Sequence, residues 1–119
     1  MESLRFLSPK EVDDIRIEFG TPAFVYDEAT LRENARTLKA FPNAFGLKPR
    51  YAMKAAPTAA IIRIFNQEGL GIDASSGHEL ERAIRVGFGT ESISLSTQQM
   101  PENFGVWVDE GVSINLCSL

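Results

Sequence analysis

Strand-like and helix-like segments alternate from residue 50 to the end of this 119-residue sequence, and that alternation limits the chain to a small set of folds. The four strand-like segments are RYAMKA (50–55), LGIDASS (70–76), SISLST (92–97) and VSINLCSL (112–119). Parallel strands need long crossover connections, and right-handed crossovers put helices on the outside. The alternation therefore predicts an α/β fold of four parallel strands with helices outside them.

The last strand-like segment reaches Leu119 with no helix behind it. Parallel strands are normally covered on both faces, so we expect the N-terminal half of a (β/α)8 TIM barrel, a fold of about 250 residues. A small open four-stranded α/β domain is the alternative, because flavodoxin-like sheets need only five strands. A half barrel leaves strand edges open, and we expect the isolated chain to aggregate or to order only against another copy or the rest of its protein.

Two helices are predicted ahead of the first strand. Residues 8–11 (SPKE) form a helix start, with a capping box and a proline at the first helical position, and Gly20 ends that helix. The segment TPAFVYD (21–27) predicts a short strand. Asp27 then caps a second helix that continues to Pro42.

Composition excludes several classes of partner. The formal net charge is −4 and the 12 Lys and Arg residues are scattered, which argues against nucleic-acid and anionic-membrane binding. No apolar run approaches the length of a membrane span, and the N-terminus lacks the apolar core of a signal peptide. The single cysteine, Cys117, excludes an internal disulfide. We therefore expect a cytoplasmic protein.

Polar side chains gather where the predicted strands end, which is where ligands bind in both candidate architectures. The strands offer, in order, Lys54; Asp73, Ser75 and Ser76; Ser96, Thr97 and Gln98; and Asn115, Cys117 and Ser118. Lysine is seldom buried without a partner, and desolvation suits it to Schiff-base chemistry. From this segment alone, however, a solvent-facing Lys54 at a strand end explains the residue at least as well.

The segments YAMKA and GIDASSGHELERAIRVGF, in this order and spacing, resemble the fold-type III pyridoxal-phosphate decarboxylases. The positions that match the family pattern are Tyr51, Ala52, Lys54, Gly71, Asp73, Ser76, Glu79 and Leu80. The segment TPAFVYDEATLRENA also resembles the family's passage from its second domain into the barrel. The resemblance implies an alanine racemase-like barrel, with residues 1–26 as a lead-in helix and strand and 27–119 as a partial, pyridoxal-phosphate-binding barrel.

The resemblance implies a role for four residues. Lys54 would be the catalytic residue that holds pyridoxal 5'-phosphate as a Schiff base, and the cofactor would act as an electron sink during decarboxylation. Asp73 would lie near the cofactor and the lysine, with Tyr51 and Ala52 lining the cofactor floor. Capping of the next helix remains an alternative for Asp73, and barrel core remains one for Tyr51.

Other polar residues have structural interpretations. Ser76 and Glu79 form a predicted capping box, His78 is expected on the surface, and Cys117 is expected within the barrel. The sequence departs from the family at Ala56, where an asparagine or a similar residue is usual, and in the third-strand ending LSTQQ.

Within the family, the segments are most similar to the diaminopimelate decarboxylases. The expectation is a homodimeric carboxy-lyase that converts meso-diaminopimelate to L-lysine and CO2 in its full-length form, with this chain alone inactive. A polyamine-pathway decarboxylase (of ornithine, arginine or carboxynorspermidine) and an amino-acid racemase are alternatives. A non-catalytic half-barrel that pairs with another chain is an alternative of a different class.

Overall fold

A computed structural model describes residues 6–116, which form one sheet of four parallel strands together with five α-helices. The strands are β1 (Arg50–Ala52), β2 (Gly71–Ala74), β3 (Ile93–Leu95) and β4 (Ser113–Ile114). The helices are α1 (Pro9–Phe19), α2 (Glu28–Lys39), α3 (Ala59–Gln67), α4 (Gly77–Val86) and α5 (Phe104–Asp109).

The order of the strands in the sheet is the order in the chain, β1-β2-β3-β4, and each pairs in parallel with the next. A doubly wound sheet instead contains a point where the strand order reverses. Successive right-handed crossovers in one direction place all helices on one face of the sheet, as in a barrel. The predicted parallel α/β architecture is confirmed, and the order favours the half-barrel over the open-sheet alternative.

The two faces of the sheet differ in chemistry. Ile72 of β2 and Leu95 of β3 are fully buried in one cluster with Ile62 of α3 and Leu80 of α4. Because successive strand residues point to opposite faces, the residues between these apolar positions occupy the other side. That side, named here the open face, carries Ala52, Gly71, Asp73, Ser94 and Ser96, all partly exposed.

Glycine at position 71 allows a close approach on the open face. A Cβ added at Gly71 would lie 2.6 Å from the carbonyl oxygen of Ser92 and 3.0 Å from Cγ of Arg50. The first contact is with backbone, which cannot move aside as a flexible side chain can. Position 71 therefore accepts no larger residue unless the neighbouring backbone segment shifts.

Both predicted N-caps ahead of the sheet are present. The Ser8 hydroxyl accepts from the Glu11 N–H at 3.3 Å, and the Glu11 carboxylate accepts from the Ser8 N–H at 2.7 Å, which completes the capping box. The Asp27 carboxylate accepts from the Thr30 N–H at 3.0 Å. Gly20 ends α1 with a φ of +78°, in the region that favours glycine.

Several predicted boundaries were wrong. Residues 21–27 form no strand, because no neighbouring strand pairs with them; they include a cis Thr21–Pro22 peptide bond. β1 ends at Ala52, and Met53–Ala55 form a 3-10 turn instead of more strand. α5 begins at Phe104 rather than at residue 100, since proline at 101 restricts the residue before it to extended conformations. Cys117 and Ser118 lie outside the described residues.

Glu68, just after α3, joins that helix to α2. Its carboxylate accepts from Arg32 Nη1 at 3.0 Å and from Arg36 Nε at 2.9 Å. The Lys39 ammonium donates to the Glu68 carbonyl oxygen at 2.8 Å. The hydrogen bonds from Arg36, and then those from Arg32, lower the pKa of Glu68 below its ordinary value.

We expect Glu68→Gln to destabilise the fold at neutral pH and to matter less in acid. Because the folded-state pKa is depressed, the stabilisation is complete above the unfolded-state value of 4.5 and disappears as the pH falls through the lower folded-state value. Thermal melts of the full-length protein at pH 7 and pH 3 measure the difference. Glu33→Gln, on the exposed side of α2, is the matched control. A Glu68→Gln penalty that is equal at both pH values would contradict this linkage.

Candidate functional site

The carboxyl ends of the strands border a cavity of ≈ 880 Å³. Its lining comes from the segments that follow β1, β2 and β3 and includes Lys54, Ser75, Ser76, Ser96 and Thr97. A second cavity, of ≈ 420 Å³, lies at the amino ends of the strands. Ligands of parallel α/β folds bind at the carboxyl ends, so the larger cavity, named here the rim cavity, is the candidate site.

Lys54 reaches the rim cavity from the 3-10 turn after β1. Met53, immediately before it, is fully buried against the helix side of the sheet and anchors the turn. The Lys54 side chain is exposed, and none of the ion pairs within residues 6–116 includes it. Its amine is thus accessible to a ligand in the cavity.

Asp73 lies on the open face one strand away. It is paired in register with Ala52 of β1 and with Ser94 of β3, so the three residues share one level of the sheet. Its Oδ1 accepts a hydrogen bond from Ser96 Oγ at 2.8 Å. Ala52 and Asp73 are thus direct neighbours on the open face.

Asp73 is not the helix cap that the sequence left open as an alternative. The N-cap of α4 is Ser76, whose hydroxyl accepts from the Glu79 N–H at 3.2 Å. The Glu79 carboxylate accepts from the N–H of Ser75 at 2.7 Å and not from that of Ser76. Only half of the predicted capping box is therefore formed, because the carboxylate reaches one residue further back. Asp73 is joined to the rim cavity through Ser96, which lines it, and is not itself a lining residue.

Tyr51 points away from the open face. It pairs in register with the buried Ile72, and its ring lies 4.4 Å from that of Phe65 between centroids. Its hydroxyl donates to the Ala56 carbonyl at 3.4 Å, and burial raises the pKa of this phenol. The structure thus agrees with barrel core for Tyr51, in place of the expected position on the cofactor floor.

Sequence reasoning missed part of the cavity wall. Residues 99–103 line the rim cavity as a loop, although residues 100–103 were expected to begin a helix. The proline at position 101 was the feature of the sequence from which this loop could have been predicted. His78 is exposed as expected, but it also lines the cavity. A Cβ added at Gly77 would lie 3.1 Å from Cγ of Pro101, so the loop packs closely on the start of α4.

Two further features are absent from residues 6–116. No helix there is both long enough and apolar enough to cross a bilayer. In the same part of the chain, no group of three or more His, Cys, Asp or Glu side chains is placed to hold a metal ion.

Several known proteins are similar in sequence to this chain over most of its length. A diaminopimelate decarboxylase of Bacillus methanolicus is 42% identical over 86 residues, which covers 69% of this chain and 20% of the relative. One of Thermoplasma acidophilum is 32% identical over 118 residues, which covers 96% of this chain and 28% of the relative. The chain thus spans about a fifth to just over a quarter of the length of these curated relatives.

A solved structure shares the fold. The lysine/ornithine decarboxylase of Vibrio vulnificus, solved in complex with putrescine, superposes with a TM-score of 0.75 over 92% of this chain and 32% of its own, at 24% identity. This likeness concerns the fold alone, and it supports the predicted N-terminal half of a TIM barrel.

A family model matches the part of the chain that contains the first three strands and the rim cavity. The family model described as "Pyridoxal-dependent decarboxylase, pyridoxal binding domain" matches residues 30–109, which include α3, α4, α5 and the first three strands. With well over half of its length matched, this chain belongs to the family of pyridoxal-binding domains of the pyridoxal-dependent decarboxylases.

Proposed function

We propose that the full-length protein containing this chain is a pyridoxal-phosphate-dependent amino-acid decarboxylase and that Lys54 is the residue to which the cofactor attaches. The observation that carries the proposal is the exposed Lys54 amine at the rim cavity, with the Asp73 carboxylate held on the neighbouring strand. Family membership supports the choice of cofactor.

The chemistry of the rim cavity fits pyridoxal phosphate. The hydroxyls of Ser75 and Ser76 supply hydrogen-bond donors, whereas those of Ser96 and Thr97 already donate to Asp73 and to the Gln99 carbonyl. The N-terminus of α4 opens beside the two donors. Helix N-termini favour negatively charged groups such as phosphate. Ala52, beside Asp73 in register, is a small residue that leaves room for a flat ring. Lys54, Asp73 and Ala52 are the residues that would hold the cofactor.

Lys54 and Asp73 have different tasks. The cofactor, when bound, supplies an electron sink for the electrons left behind as the carboxylate departs as CO2. Lys54 provides the nucleophilic amine, which must be neutral to attack a carbonyl carbon. Asp73 provides a negative charge that orients cationic groups near it, because opposite charges at close range attract.

The substrate we propose is meso-diaminopimelate, with L-lysine as the product. Its support is the similarity to diaminopimelate decarboxylases from both a Bacillus and a Thermoplasma. The proposal also includes a cytoplasmic homodimer, with residues 27–119 as the partial barrel and 1–26 leading into it. Because the chain spans so little of its relatives, we propose that it is inactive by itself.

Borohydride reduction of the full-length protein with pyridoxal phosphate should label Lys54. Peptide mapping locates the label, and Lys54→Ala should remove both the label and turnover because no other lysine within residues 6–116 lines the rim cavity. Lys48→Ala is the matched control, since Lys48 lines the cavity at the opposite end of the strands. Label on Lys48 or Lys39 with Lys54 unmodified would overturn the assignment.

Substrate choice is tested by CO2 release from meso-diaminopimelate, ornithine, arginine and lysine. We expect kcat/KM for meso-diaminopimelate to exceed the others by about a hundredfold or more, because a site that hydrogen-bonds a polar substrate group rejects analogues without it. Residues 1–119 alone should release no CO2. Preference for ornithine, or racemisation without CO2 release, would refute the proposed substrate.

A further inference from the structure

We propose that Ser96 is a positioning residue that holds the Asp73 carboxylate in the orientation in which it acts on a ligand bound in the rim cavity. The inference deepens the proposed function and rests on it for the identity of the ligand. Ser96 itself lines the cavity, and its hydroxyl donates to Asp73 Oδ1 at 2.8 Å. Hydrogen bonds to an ionised acceptor are roughly twice as strong as those between neutral groups.

Ser96 is itself fixed by the sheet. Its N–H donates to the carbonyl of Ala74 at 2.8 Å, which extends the β2–β3 ladder by one residue beyond β3. On the other side, the Asn115 N–H donates to the carbonyl of Leu95 at 3.0 Å. The backbone on which the Ser96 hydroxyl is mounted is therefore held from both neighbouring strands at the rim.

The register sets the direction from which Ser96 approaches Asp73. Ser94 is the direct partner of Asp73, and Ser96, two residues on, projects from the same face one step nearer to the carboxyl ends. The hydroxyl therefore approaches the carboxylate from the cavity side. The hydrogen bond thus joins a residue of the cavity wall to a carboxylate that begins one level below the rim.

One carboxylate oxygen is left for a ligand. Oδ1 is occupied by Ser96, whereas Oδ2 accepts no hydrogen bond from any side chain or backbone group of residues 6–116. An ionised carboxylate has about four acceptor positions. A carboxylate with one oxygen fixed and the other free cannot rotate without losing its hydrogen bond, so Oδ2 keeps a defined direction.

A purely structural role for the Ser96 hydroxyl is the competing explanation. In that case its removal would change stability but neither the orientation of Asp73 nor ligand affinity. Three substitutions separate the two explanations. Ser96→Val removes the hydroxyl at the volume of threonine, Ser96→Thr keeps the hydroxyl at that volume, and Ser94→Ala is the control on the same face next to Asp73.

The experiment uses the full-length protein and three measurements: the crystal structure of each variant, the dissociation constant of pyridoxal phosphate from absorbance titration of the apoprotein, and the thermal midpoint. Ser96→Val should rotate the Asp73 carboxylate and weaken cofactor binding by about tenfold, the scale of one lost hydrogen bond to a charged group. Ser96→Thr should restore both, and Ser94→Ala should change neither. In an Asp73→Asn background, Ser96→Val should cause less further loss.

The outcomes distinguish this inference from the proposed function. If Ser96→Val lowers the thermal midpoint while the Asp73 orientation and cofactor affinity are unchanged, the positioning role is refuted. If it does not fold, Ser96→Ala replaces it, with the same criteria. If wild-type protein binds no pyridoxal phosphate, the proposed function fails, and an unrotated Asp73 in Ser96→Val would overturn the Ser96 inference separately.

Discussion

The parallel pairing of β2 with its two neighbours is the constraint on which the site depends. Ile72 and Ala74 are buried against the helices, and strand geometry then leaves Asp73 no position except the open face. Register places Ala52 beside it, and one strand further along the Ser96 hydroxyl meets it from the rim. A shift of one residue in either pairing would send the carboxylate into the apolar layer under α3 and α4. The burial of two aliphatic side chains therefore determines where the charge lies.

Much of the fold could be predicted because its determinants are local. The alternation of short apolar segments with helical ones indicated four parallel strands, and the capping residues Ser8 and Asp27 indicated where α1 and α2 begin. The errors occurred where long-range pairing decides the outcome. Residues 21–27 have strand-like composition but no partner strand, and β1 ends at Ala52 although β2 continues to Ala74.

The candidate site was predictable in part for the same reason. Lys54 and Asp73 could be assigned to strand ends from periodicity, and the motif around them suggested the cofactor. Which face each side chain occupies depends on register, which the sequence does not state directly. For that reason Tyr51 was expected near the cofactor although it packs on Phe65, and the hydrogen bond from Ser96 to Asp73 was not anticipated.

The burial of Met53 limits which core substitutions the protein can accept without moving Lys54. The residue is fully buried, and the lysine that lines the cavity is its immediate neighbour in the chain. A substitution that repacks the layer around Met53 alters the 3-10 turn, and with it the path of the Lys54 side chain into the cavity. Selection for a tighter core and selection for chemistry thus act on adjacent positions of the same turn. Efforts to make this fold more heat-resistant disturb that turn least at core positions on another strand of the sheet, such as Val112 just before β4.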